Sequence, residues 1–172
     1  MGDIYEVVLT MDIRADITDD ELAELRWHVG QGPRPERLPI RGDDYLATFP
    51  LGDPHDPDCE WETAEPEPVF PQRGAAWKVG GALVAELVRR EKSGGWSLTV
   101  RQEFHPDDFY PLRTLLDWLG RCSVNAQISD IPFFIGYMRF YENAEIAPLV
   151  LLNGRIRVPK DIESHTPHWQ GT

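Results

Sequence analysis

Apolar and polar residues alternate with a period of two from Ile4 to Ile13, placing Tyr5, Val7, Leu9, Met11 and Ile13 on one face. That period predicts a half-buried strand. Thr18-Asp19-Asp20-Glu21 follows, a capping box in which Thr18 and Glu21 satisfy each other's free backbone donors. It opens a helix carrying Leu22, Leu25 and Val29, which Gly30 is placed to end and Pro33 and Pro35 keep from resuming.

The same order of signals returns about 90 residues on. Trp96, Leu98, Val100 and Phe104 alternate along a second strand, interrupted at Gln102. Asp107 and Asp108 precede a helix with Leu112, Leu115 and Leu119, followed by Gly120. Strand positions match at an offset of 91 and helix positions at 90. Each helix is followed by further strand candidates: Tyr45–Phe49 and Ala82–Glu91 after the first, Phe133–Tyr141 and Leu149–Val158 after the second. Asn153-Gly154 marks a two-residue hairpin inside the last of these. Residues 82–92 also carry helical spacing (Leu83/Leu87, Val84/Val88), but Ser93-Gly94-Gly95 joins them to the next strand as a hairpin loop. Strand is the reading taken.

The expectation is a single α+β domain over 1–158, built from two strand–helix–strand–strand units at about 4–92 and 95–158. The sheet is mainly antiparallel, with both helices on one face. At the level of element order alone, this resembles ferredoxin-like folds and the duplicated small-molecule-binding modules of some bacterial regulators. The resemblance carries no catalytic position to this chain.

Between the units' strands lies Pro50–Pro71, with six prolines and seven Asp or Glu residues and no Lys or Arg. It reads as a long exposed loop unable to hold a regular ladder. Residues 159–172 read as a tail.

Composition narrows the function classes. At 172 residues, 41% hydrophobic and 27% charged, the chain can bury a core and is too apolar for wholesale disorder. No apolar run is long enough for a membrane span, and the first residues carry no secretory signature, so a cytoplasmic protein is expected. Cys59 and Cys122 have no metal-site or redox spacing and fit a reducing compartment. Of the net charge of −12, the excess lies early: residues 1–70 hold 18 acidic and 5 basic side chains, residues 71–172 hold 11 and 12. Such a surface repels phosphate backbones, so nucleic acid is not an expected partner.

Four groups carry candidate chemistry. His55, Asp56, Asp58 and Cys59 form the densest set of candidate metal ligands, though their mixture of hard and soft donors matches no known loop and a solvated acidic loop is the simpler reading. No cofactor is expected. Glu103 and His105 share a strand face beside Asp107 and Asp108, where a carboxylate near an imidazole would make a general base and helix capping is the plainer role. Trp27, His28, Trp118 and Tyr137 are candidates for lining a small-molecule cleft between the units, with core packing as the alternative. The aromatic run Phe133–Tyr141 is apolar on both faces, which fits a central strand or a homodimer surface, and Gly136 within it signals a bulge or the close approach of another backbone. Arg101 and Arg139 are expected to pair with Glu103 or Glu142.

No phosphate-binding loop, dinucleotide fingerprint, nucleophile elbow or metalloprotease motif is present. The leading expectation is a non-catalytic module binding a small ligand or a protein. The alternatives are a cofactor-free enzyme with a Glu or His base, and an interaction protein presenting the acidic loop to a basic partner.

Overall fold

A computed structural model describes residues 2–42, 48–128 and 130–160. β1 (Tyr5–Ile13) leads to α1 (Asp19–His28), whose capping box is complete: Thr18 Oγ1 accepts from the Glu21 amide and Glu21 accepts from the Thr18 amide. Gly30, at φ 70°, turns the chain away from α1. β2 (Thr48–Pro50), β3 (Trp61–Thr63) and β4 (Gly74–Ala75) are short. β5 (Ala82–Arg89) and β6 (Trp96–Phe104) form a hairpin closed by Gly94 and Gly95, so 82–89 is strand. A 3₁₀ turn at Pro106–Asp108 feeds α2 (Phe109–Cys122), followed by β7 (Phe133–Phe140), β8 (Ala147–Leu152) and β9 (Arg155–Arg157).

Seven strands form an antiparallel sheet in the order β4-β5-β6-β1-β7-β8-β9; β2 and β3 make a separate two-stranded ribbon. The chain is therefore α+β with a mostly antiparallel sheet. Alternation decides what each face does. Val7, Leu9, Met11 and Ile13 of β1, Leu98, Val100 and Phe104 of β6, and Met138 of β7 join Leu25 of α1 and Leu112, Leu115, Leu116 and Leu119 of α2 in one core. The opposite face carries Glu6, Thr10, Asp12, Thr99, Arg101 and Arg139, and neither α1 nor α2 covers it. No helix among the described residues is long and apolar enough to cross a membrane.

Several expectations change. Of the expected strand Tyr45–Phe49, residues 45–47 lie outside the described residues. Thr48–Pro50 pairs with Trp61–Thr63 in the ribbon rather than joining the main sheet. The Pro-rich stretch thus holds a short ladder after all, and its end is buried: Phe70 packs edge-on against Phe104 with ring centroids 6.1 Å apart. Gly120 does not end the second helix, which runs on to Cys122. A Cβ there would sit 2.8 Å from the Gly154 carbonyl oxygen, so Gly120 serves the approach of the β8–β9 turn to the helix. Arg101 and Arg139 do not pair with Glu103 or Glu142. Both converge on Glu6, buried on the middle strand between them, at 2.7 and 2.5 Å. The aromatic run is the inner strand β7, flanked by β1 and β8, with Ile135 and Met138 in the core and Phe134 exposed. At its bulge, Gly136 lies against β1 so closely that a Cβ would meet the Val8 carbonyl oxygen at 1.8 Å.

Candidate functional site

Two buried polar pairs pull distant segments onto the helix–sheet core, and a cleft opens where those segments meet α2. In α1, Glu24 and His28 stand one turn apart with no exposure to solvent. Glu24 accepts the backbone amides of Ile40 (2.6 Å) and Arg41 (2.9 Å). The Val69 amide points at His28 Nδ1 (3.2 Å), which makes Nδ1 the acceptor; the ring proton then sits on Nε2 and is donated to Glu24 at 3.3 Å. The His28 carbonyl takes the Phe70 amide at 2.8 Å. One helical turn thereby fixes both 40–41 and 69–70.

Gln102 does the same from β6. Its Oε1 accepts the Gln72 amide and its Nε2 donates to the Gln72 carbonyl, both at 2.8 Å, while Gln72 Oε1 accepts the Glu103 amide. Buried Gln102 and half-buried Gln72, with these contacts directed at backbone, act as extra rungs of a ladder.

Against these anchored segments the start of α2 supplies the third wall. His105 Nδ1 accepts the Asp107 amide at 3.3 Å, and the Asp108 amide donates to the His105 carbonyl at 2.9 Å. The result is an open cleft of about 430 Å³ with Val69, Pro71, Phe104 and Pro111 as its apolar part and Arg41, Glu65, Glu67, Asp107 and Asp108 as its charged part. Asp108 is pushed above the ordinary aspartate range, by partial burial first; the His105 contacts oppose this, and the charges of Asp107 and Glu67 add smaller pushes in the same upward direction. Two guanidinium groups already border these carboxylates: Arg34 pairs with Glu65, and Arg41 lines the cleft and donates to the Glu67 carbonyl.

The residues singled out in the sequence are distributed unevenly around this cleft. Glu103 belongs to its wall, but its carboxylate accepts three successive amides, from Trp77 (2.9 Å), Lys78 (2.6 Å) and Val79 (2.9 Å). Burial on its own would raise Glu103; the three donors and Arg101 outweigh it and hold the carboxyl below its usual range. Such a carboxylate is a loop anchor and a weak base. His105 is engaged separately, with Asp107.

Of the four cleft candidates, only His28 is among the side chains that hold the cleft's walls, and it does so from inside the core. Trp27 is buried beside it, the two rings 4.8 Å apart. Trp118 is buried on α2 and donates its indole N–H to Glu21 at 2.9 Å. Tyr137 stands opposite Val8 on the face of the sheet away from the helices.

His55, Asp56, Asp58 and Cys59 lie in the loop between the ribbon strands, where Asp53 and Asp56 accept the amides of His55 and Asp58. Among the described residues no group of three or more His, Cys, Asp or Glu is placed to hold a metal ion. His165 and His168, which the sequence offers as a pair of imidazoles for a metal in the tail, lie outside the described residues.

Sequence reasoning missed Glu24, Arg41, Glu65 and Glu67, and read Asp107 and Asp108 only as caps. Glu24 had a usable signal, its i,i+4 spacing to His28 on the side of the helix that carries Leu25. Glu65 and Glu67 had none beyond their charge. Comparison with protein-family models, with characterised proteins and with solved structures gave no match for this chain.

Proposed function

We propose that this chain is a non-catalytic binding module that takes a cationic group into the cleft between residues 64–72 and the start of α2. The observation that carries the reading is the gathering of Glu65, Glu67, Asp107 and Asp108 around one opening, with Asp108 raised by its burial and its acidic neighbours. Asp107 and Glu67 lie near enough to Asp108 to oppose its ionisation, and a positive charge bound there relieves that repulsion. The apolar part of the cleft, with Val69, Phe104, Pro71 and Pro111, suits a short aliphatic body behind that charge. An alkylamine, or the side chain of a lysine or arginine, has this form.

The scaffold in this reading is a ferredoxin-like βαββαβ core made of β1-α1-β5-β6-α2-β7. The strand order β5-β6-β1-β7 and the helices after β1 and β6 support it, as does the sequence match between the two strand–helix pairs. A catalytic reading would need Glu103 or His105 as a free base, and Glu103 is spent on the loop at 77–79.

Thermal-shift and calorimetric titration with spermidine, putrescine and agmatine, against succinate as an anionic control, tests the proposal. A ligand at a hundred times its dissociation constant adds about 2.7 kcal/mol, which raises the midpoint by about 5–10 °C for a chain of this size. The shift is expected for the cations only, to weaken with salt, and to be lost in the double variant Glu67→Gln/Asp108→Asn. Cations that leave the midpoint unchanged, or that shift wild type and variant equally, would overturn it.

A further inference from the structure

The ribbon of β2 and β3 stands apart from the main sheet, and both of its faces are open to solvent. Phe49 lies opposite Glu62 and Pro50 opposite Trp61; the Leu51 amide donates to the Glu60 carbonyl at 2.8 Å and extends the ladder by one pair. Alternation then puts Phe49 and Leu51 on one face with Glu60 and Glu62, and Trp61 with Pro50 on the other. These three large side chains, Phe49, Leu51 and Trp61, are 42%, 57% and 56% exposed. A two-stranded ribbon without a packed face is marginal in water, and the exposed pair Phe49 and Leu51 on one face, with Trp61 on the other, marks a place where something else docks.

We infer that this ribbon is a docking arm for an extended segment of a partner protein in which apolar residues alternate with lysine or arginine. The apolar positions of such a segment cover Phe49, Leu51 or Trp61, and its main chain adds to an edge of the ribbon that no other strand pairs with among the described residues. Charge decides the partner. The stretch 50–71 contributes seven carboxylates and no Lys or Arg, so phosphate backbones and anionic membrane surfaces are repelled while a basic segment is drawn in. The inference rests on the reading of this acidic half as a cation-binding surface, but different residues carry it, and variants separate the two.

The test is selection of a random-peptide display library on the immobilised full chain, followed by fluorescence anisotropy of the enriched peptides. The expected result is enrichment of sequences alternating Lys or Arg with Leu, Ile or Phe. Their affinity falls at least about tenfold in the arm variant Phe49→Ser/Leu51→Ser/Trp61→Ser and falls with added salt. It is unchanged in Asp108→Asn. The replaced side chains are exposed, so far-UV circular dichroism and the thermal midpoint of the arm variant should match wild type. A second variant, Glu60→Lys/Glu62→Lys, leaves the apolar residues in place and should lose the same peptides.

Failure to enrich basic-apolar sequences, or equal binding by the arm variant, overturns the inference. Binding lost in Asp108→Asn but kept in the arm variant overturns it while upholding the cleft reading. Concentration-dependent self-association of wild type that the arm variant abolishes makes a second copy the occupant and also overturns it.

Discussion

His28 Nε2 lies 3.3 Å from Glu24 Oε1, one turn earlier in α1, and neither side chain reaches solvent. The pair contacts nothing that enters the cleft, yet four backbone amides, those of Ile40, Arg41, Val69 and Phe70, depend on this turn of helix. Glu24→Ala strands the Ile40 and Arg41 amides and the His28 Nε2–H at once. A cost of about 3 kcal/mol is expected, read as a fall of about 1–2 M in the urea midpoint. The same variant should weaken cation binding, because the His28 ring that holds Val69 loses its Glu24 partner and the cleft wall at Val69 loosens.

Gly136 tests the centre of the sheet. Its φ is 155°, and a Cβ on it would lie 1.8 Å from the Val8 carbonyl oxygen, so the bulge has no room for a side chain. Gly136→Ala must part β1 from β7, and a loss above about 4 kcal/mol is expected. Denaturant unfolding measures it. A loss below about 1 kcal/mol would mean that the bulge can be rebuilt without glycine.

Glu103 sets part of the acid response. Its carboxyl is held below the ordinary 4.5 in the folded chain, and Glu21 behaves alike: burial opposes ionisation there too, but the Trp118 and Thr18 donors prevail. A lowered folded value means that the unfolded chain takes up the proton first. The stabilisation is therefore complete above the ordinary glutamate value and disappears as pH falls through the folded one. Unfolding free energy followed from about pH 6 down to about pH 3 should fall less steeply in Glu103→Gln than in wild type.

Asp108 has the opposite sign. Its raised value means that the folded chain prefers the protonated form, so ionised Asp108 opposes folding once pH rises through the folded value. Asp108→Asn should raise the thermal midpoint at neutral pH and lose that advantage in acid. It should also bind cations less well, a gain in stability set against a loss in affinity.

The two thiols should separate cleanly. Cys122 is buried at the end of α2 and pushed up to about 11, by burial first and then by the charge of Glu21. At about pH 8 it is almost entirely the unreactive thiol. Cys59, partly exposed in the loop between the ribbon strands, should take up iodoacetamide first, giving a single modified site by mass spectrometry. Modification of Cys122 at a matching rate would contradict the burial of the α2 end.

What the sequence disclosed was the part governed by neighbours in the chain. The Thr18–Glu21 box, the alternation along β1 and β6, and the Asn153-Gly154 turn joining β8 to β9 are each decided within a few residues. What it hid depends on partners far along the chain. Gln102 looks like a fault in an apolar strand face because its partner, Gln72, lies 30 residues away. Arg101 and Arg139 have carboxylates close by in sequence, whereas the one they share, Glu6, is 95 and 133 residues distant. The cleft is illegible for the same reason: Glu67 and Asp108 become neighbours only once α1 and β6 have fixed the segment between them.

The position of β1 in the sheet bears on how the chain is made. Both of its neighbours come from later segments, β6 at 96–104 and β7 at 133–140. At a synthesis rate of about 5–20 residues per second, β1 waits roughly 5–20 s for its first partner and longer for its second. Throughout that interval Val7, Leu9, Met11 and Ile13 have no sheet to enter. Nascent chains of this protein should therefore be clients of ribosome-associated holdases until Phe140 has emerged, and halting translation before Trp96 should leave β1 open to protease.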